Sequence, residues 1–233
     1  MAREQADGGD VMLTFKALGA LLSYPSEELV AALPEIRQAL AAEQLLKPDA
    51  RLAVEMLIDR LEAIDILELQ EIYVGLFDRT RGLSLHLYEH VWGDARERGQ
   101  AMVRLQTLYK LHGFSHAESE LPDYLPLFCE FLSLIPEKAA RAFLSDAAPV
   151  VDLLRERLAK RQSPYAGVAA ALVSLASKLN PAIIEQLSKG TLPDDGDSFE
   201  ALDRAWEEEP VRFGPSDTDP ICSSAAASAP ARV

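Results

Sequence analysis

The sequence predicts an all-α protein: a single-domain helical bundle followed by an acidic C-terminal tail. Three observations predict it. Apolar residues recur at helical spacing through most of the first 190 positions. No run of β-branched residues alternates between turn signals, so no strand is expected. Capping residues, prolines and glycines stand at the ends of the periodic stretches.

Each element follows in order. A first helix over 11–23 carries the stripe Leu13, Ala17, Leu18, Leu21, Leu22, with Asp10 as cap and Tyr24-Pro25 as stop. Ser26 caps a second helix through Leu29, Val30, Leu33, Ile36 and Leu40; Pro34 inside it should bend it or split off its first turn. A third helix starts at Asp49 and runs through Leu52, Met56, Leu57 and Leu61. Asp65 and Glu68 have capping-box spacing and open a fourth, ending near Phe77. A loop over 78–82 leads to a short helical stretch over 83–91. Asp94 opens a long, polar-faced helix to about His112, ended by Gly113. Asp123 is placed to cap a nearly all-apolar helix over 125–135, the expected centre of the core, with Pro126 tolerated in its first turn. Further helices fit 137–144, 149–160, 164–179 (with Ser163 as cap) and 181–188.

Composition bounds the function. The 233 residues are 48% hydrophobic and 26% charged, enough for one core without disulfides. Cys129 sits in an apolar run and reads as a small core residue, and Cys222 lies in the tail. That usage fits a reducing cytoplasm. A net charge of −14 argues against nucleic acid, which needs clustered Lys and Arg. No apolar run is long enough to span a bilayer and the N-terminus has no secretory signal pattern, so no stable membrane association is expected.

Residues 1–10 are expected to be flexible, 11–190 to form the helical domain, and 191–233 to be a separate tail. The tail holds ten acids against three bases, a net −7 and half the charge of the chain. It should bury too little apolar surface to offset its ordering entropy, so most of it is expected to be disordered. A short amphipathic helix over 199–206 is the exception.

Two readings compete for the most distinctive stretch, Glu71 to Asp94. His86-Leu-Tyr-Glu-His90 fits the H-x-x-E-H pattern of inverted zinc peptidases. On a helix the two histidines would lie one turn apart, with Glu89 as base and Glu118 or Glu120 as a third ligand. No G-x-S-x-G, phosphate loop or second ligand cluster accompanies it. The other reading is a groove. Ile72, Tyr73, Leu76 and Phe77 share a helical face; the aliphatic residues and Phe77 read as core, and Tyr73 as a rim residue. Asp78, Glu89 and Asp94 then edge an apolar groove that suits an amphipathic helical peptide carrying Lys or Arg. Glu120 and Tyr124, beside Pro122 and Asp123, would add ligand-facing side chains from a second loop.

Several of these motifs occur together in register. Leu22-Ser-Tyr-Pro25, Tyr73-Val-Gly-Leu-Phe-Asp78, Leu85-His-Leu-Tyr-Glu-His90, Gly93-Asp-Ala-Arg-Glu-Arg-Gly-Gln-Ala-Met102, Glu120-Leu-Pro-Asp-Tyr-Leu125 and Ala205-Trp-Glu-Glu-Glu-Pro-Val-Arg-Phe-Gly214 resemble the NarJ-type nitrate reductase assembly chaperones, within the TorD/DmsD group. The resemblance implies a TorD-like helical bundle without catalysis of its own. It implies a cytoplasmic chaperone that binds the N-terminal peptide of the nitrate reductase catalytic subunit. That chaperone holds the apoenzyme while molybdenum cofactor and an iron–sulfur cluster are inserted, before membrane docking. It would bind no cofactor stably and would meet molybdenum cofactor delivery proteins. The implied peptide-binding residues are Tyr73, Phe77, Asp78, Glu89, His90, Glu120, Asp123 and Tyr124. The wider group often has His where this chain has Tyr124. A chaperone for another molybdoenzyme is the alternative within the group.

Overall fold

Nine α-helices and one isolated β-bridge form the described part of the computed structural model, which covers residues 11–92, 96–117, 120–177 and 182–185. The expectations for 1–10, for the tail and for a helix over 199–206 lie outside these residues, as do Asp94 and Glu118. The helices are α1 Leu13–Leu21, α2 Glu27–Glu43, α3 Pro48–Ala63, α4 Ile66–Tyr73, α5 Glu89–Trp92, α6 Arg96–Leu111, α7 Leu125–Ser133, α8 Glu137–Lys160 and α9 Tyr165–Leu175.

α7 is the centre of the core. Eight of its nine residues are buried, Cys129 among them. It packs on α1 and α8. The approach to α1 is close: a methyl group at Gly19 would lie 2.8 Å from Cys129 Cβ and 2.9 Å from the Pro126 carbonyl oxygen. Phe131 anchors an aromatic cluster, with ring centroids 4.6 Å from Tyr109, 5.8 Å from Phe114 and 6.0 Å from Phe143. α9 lies between α8 and α3.

Among the described residues, side-chain caps set the start of two helices. Ser26 Oγ accepts from the Leu29 N–H at 3.2 Å, and Asp65 Oδ1 from the Leu67 N–H at 2.9 Å, so both caps form as expected. α7 carries Pro126 in its first turn. The Ser163 side chain, by contrast, caps nothing, and α9 starts after Pro164 with no side-chain cap.

The interior prolines correct the expected boundaries. α2 runs unbroken through Pro34, and α8 runs unbroken through Pro149 where two helices were expected. An interior proline costs about 3 kcal/mol. Burial of Leu33, Ile36 and Leu40 on one face of α2 offsets that cost. In α8 the same role falls to Ala148, Pro149, Val150 and Val151, all buried. Burying each large side chain is worth about 1.5–3 kcal/mol.

Candidate functional site

The helical ladder gives way between α4 and α5. After Tyr73 the chain widens into a π-turn, Val74–Asp78, closed by the Arg79 N–H on the Val74 carbonyl at 3.0 Å. Thr80 Oγ1 donates to the Gly75 carbonyl, and a 3₁₀ turn, Arg81–Leu83, follows. Residues 84–86 then run without helix into a bridge and 87–88 turn into α5, where one helical stretch over 83–91 was expected. His86 bridges Tyr124 in antiparallel fashion; the Leu87 N–H meets the Asp123 carbonyl at 3.0 Å and the Leu125 N–H meets the Leu85 carbonyl at 2.9 Å.

A notch of about 180 Å³ opens where these pieces meet. Tyr24, Tyr73, Phe77, Asp78, Ser84, Leu85, His86 and Tyr124 line it. Four of the eight expected residues therefore share one cavity. Tyr73 is not a rim residue: it is only 3% exposed. Its hydroxyl finds partners inside, donating to the Leu22 carbonyl at 2.9 Å and lying 3.2 Å from the Tyr124 hydroxyl. A phenol has one proton to give, so Tyr124 is the donor to Tyr73. Burial pushes the Tyr73 and Tyr124 phenols up, and both stay protonated at neutral pH. Asp78 and Glu120 are exposed, and the charge of both is felt at Tyr124. The mouth of the notch is acidic.

The other expected residues stand behind this surface. Asp123 is 0% exposed and does not cap α7, whose N-cap, Tyr124, has no side-chain cap. Its carboxylate is taken up by the facing segment instead. Oδ2 accepts from the Tyr88 N–H at 3.1 Å and Oδ1 accepts from His86 Nδ1 at 3.3 Å, with Arg98 Nη2 at 3.8 Å. Arg98 also pairs with Glu89 at 3.1 Å, which draws Glu89 toward α6. His90 is 0% exposed; its Nε2–H donates to the Ser84 carbonyl at 2.8 Å and its Nδ1 has no hydrogen-bond partner among the described residues. Burial holds the His90 imidazole below its ordinary pKa and so neutral.

The metal reading loses its geometry. His86 is extended and His90 helical, so they do not share a helical face, and each ring is committed to a different partner. Among the described residues no group of three or more His, Cys, Asp or Glu could hold a metal ion.

A larger, mostly apolar hollow of about 490 Å³ was not foreseen. It is lined by Leu87, Tyr88, Val91 and Trp92, by Leu105, Leu108 and Phe128, and by Phe143, Ala147, Val150 and Ile183, with Arg104 and Asp146 as its charged members. The signal in the sequence was the aromatic pair Tyr88 and Trp92, four apart, whose rings stack edge-on at 5.0 Å. Tyr24, Ser84, His86 and Arg98 were likewise missed as parts of the site. His86 was weighed only as a metal ligand.

Comparison with known proteins now decides the family. A family profile described as nitrate reductase delta subunit matches residues 26–171. The chain belongs to this family. It is 39% identical over 204 residues, 87% of this chain and 85% of the relative, to the nitrate reductase molybdenum cofactor assembly chaperone NarJ of Escherichia coli (strain K12). A second relative in that strain, NarW, described as a probable chaperone of the same kind, is 37% identical over 87% of this chain and 84% of its own length. The fold of the delta-subunit family member described here also matches a solved structure presented as a redox enzyme maturation protein of Archaeoglobus fulgidus. That match has a TM-score of 0.52 and 23% identity, covering 74% of this chain and 98% of the other. The expected all-helical fold is thereby shared with that protein. Among the described residues no helix is long and apolar enough to cross a membrane.

Proposed function

We propose that this chain is an assembly chaperone for a nitrate reductase. It binds the N-terminal peptide of the catalytic subunit, holds the apoenzyme while molybdenum cofactor and an iron–sulfur cluster are inserted, and acts in the cytoplasm before membrane docking. It is not an enzyme and binds no cofactor of its own; delivery proteins for the molybdenum cofactor are its further partners. The observation that carries this reading is the 39% identity to NarJ over 85% of that relative's length. The domain that does the holding is the helical unit over 11–190.

The notch supplies a place for the peptide. Tyr124, Asp78 and Glu120 are the side chains that offer surface to a ligand, joined by Tyr24 and His86. Tyr73 and Phe77 line the floor of the notch, while Asp123, Glu89 and His90 act through it, fixing the 84–88 segment rather than touching the peptide. An aromatic wall with acids at the mouth suits a peptide with an apolar anchor and a Lys or Arg. Association and peptide ordering consume much of the gross contact energy, about 4–15 kcal/mol. Binding is therefore moderate and releasable, and it weakens with salt.

The test is genetic and biochemical. Deleting the gene should leave a catalytic subunit that accumulates without molybdenum cofactor, and the tagged chain should co-purify with that apo-subunit. A fully loaded, active reductase in the deletion strain would sink the proposal. Co-purification with a different molybdoenzyme alone would redirect it to that client.

A further inference from the structure

The notch and the apolar hollow share a wall. Ser84, Leu85 and His86 line the notch, and the next two residues, Leu87 and Tyr88, line the hollow. On the facing element Tyr124 lines the notch and Phe128, one turn later, lines the hollow. The shared segment is short, running through the bridge at His86 and turning at Leu87 and Tyr88 into α5. Two main-chain hydrogen bonds, Leu87 N–H to Asp123 and Leu125 N–H to Leu85, tie it to the facing element. The buried Asp123 carboxylate adds one bond to each side: Oδ1 takes His86 of the notch, and Oδ2 takes the N–H of Tyr88 of the hollow. A displacement of Leu87 or Tyr88 cannot be absorbed by slack chain. It must move His86 and the Asp123–Tyr124 pair with it.

We propose that residues 84–88 are a movable partition, latched by Asp123, that couples the two cavities, so that filling the hollow changes the shape and affinity of the notch. Coupling of this kind is reciprocal: a ligand in the notch changes the hollow by the same factor. The significance of the coupling rests on the notch being the peptide site proposed above, whereas the partition itself does not. A ligand in the hollow would then set how tightly the chaperone holds its client.

The experiment uses the full chain and two readouts. Ala147→Trp puts an indole into the hollow from α8; Ala147→Phe is a smaller filling should the first variant melt early. Val103→Trp, on the exposed face of α6, is the control. Amide hydrogen exchange is followed at Leu87, Tyr88 and Leu125, with Leu172 of α9 as an internal reference. Calorimetry with the N-terminal peptide of the catalytic subunit gives the affinity. Filling the hollow should change exchange at the three partition amides by about fivefold or more, leaving Leu172 unmoved. It should shift the peptide Kd by a comparable factor, and Val103→Trp should do neither. In Asp123→Asn the shift in Kd should shrink. Unchanged exchange in both filled variants overturns the partition. Changed exchange with an unchanged Kd overturns the coupling. Changed exchange with no peptide binding even to the wild-type chain leaves the partition standing and overturns the peptide reading of the notch instead.

Discussion

α7 and the stretch from Val74 to Tyr88 meet at the His86–Tyr124 bridge and are built on opposite principles. α7 is a regular helix whose main-chain groups satisfy one another, and whose side chains, Glu130 and Ser133 apart, are apolar and buried. The 74–88 stretch passes through a π-turn, a 3₁₀ turn and an extended bridge. Its polar groups are met by side chains from elsewhere: Asp123 on Tyr88, His90 on Ser84, and Arg157 on the Gly82 carbonyl at 2.7 Å. The first region is held by area and shape, the second by a few directed bonds. A region of the second kind can change shape without unfolding the first, which is what a site that grips and releases needs.

That contrast can be broken at several points. The largest effect should come from Phe131→Ala, which removes the hub of the aromatic cluster and should cost about 3–5 kcal/mol by chemical denaturation. Loss of the whole unit in one transition is the expected result. Next is Gly19→Ala, where the added methyl meets a carbonyl and a Cβ within 3 Å and should cost about 1–3 kcal/mol. Asp123→Ala acts on the second region. Orphaning the part-buried Tyr88 N–H should cost about 1–3 kcal/mol, but with faster exchange confined to 84–88 and 121–125. A uniform rise in exchange across α7 and α9 would erase the distinction between the regions.

The smallest effect concerns His90. Its folded pKa is depressed, chiefly by burial, so the unfolded chain takes up the proton first. Stability from the neutral ring is full above the unfolded value of about 6.5 and is lost as pH falls from there through the lower folded pKa. The slope from one group is at most about 1.4 kcal/mol per pH unit. Denaturation at mildly acidic and at neutral pH, in wild type and in His90→Gln, checks it: the variant should lose part of the pH dependence.

The same contrast explains what was legible in the sequence. The apolar run from Leu125 and the stripes of α1, α2 and α3 read directly as core, because helical periodicity is a local signal. The caps Ser26 and Asp65 read correctly for the same reason. Asp123 did not: it stands where a cap should stand, yet a partner 35 residues away, the Tyr88 N–H, claims its carboxylate. Tyr73 was misplaced at the rim because its hydroxyl partners, Leu22 and Tyr124, are each 51 residues distant. Prolines 34 and 149 misled in the opposite sense, since tertiary burial outweighed a local penalty. Local rules read the helices, and the site is where non-local bonds override them.

The central claim is that Tyr124 and Asp78, not the buried residues behind them, meet the peptide. Calorimetry of the catalytic subunit's N-terminal peptide against the double variant Tyr124→Ala, Asp78→Ala tests it most directly. The notch account predicts a variant that still folds, with a melting point lowered by the lost Tyr124–Tyr73 bond, and an affinity lower by about 30-fold or more, the scale of a lost hot spot of about 2 kcal/mol or more. Wild-type affinity in a folded double variant would contradict it.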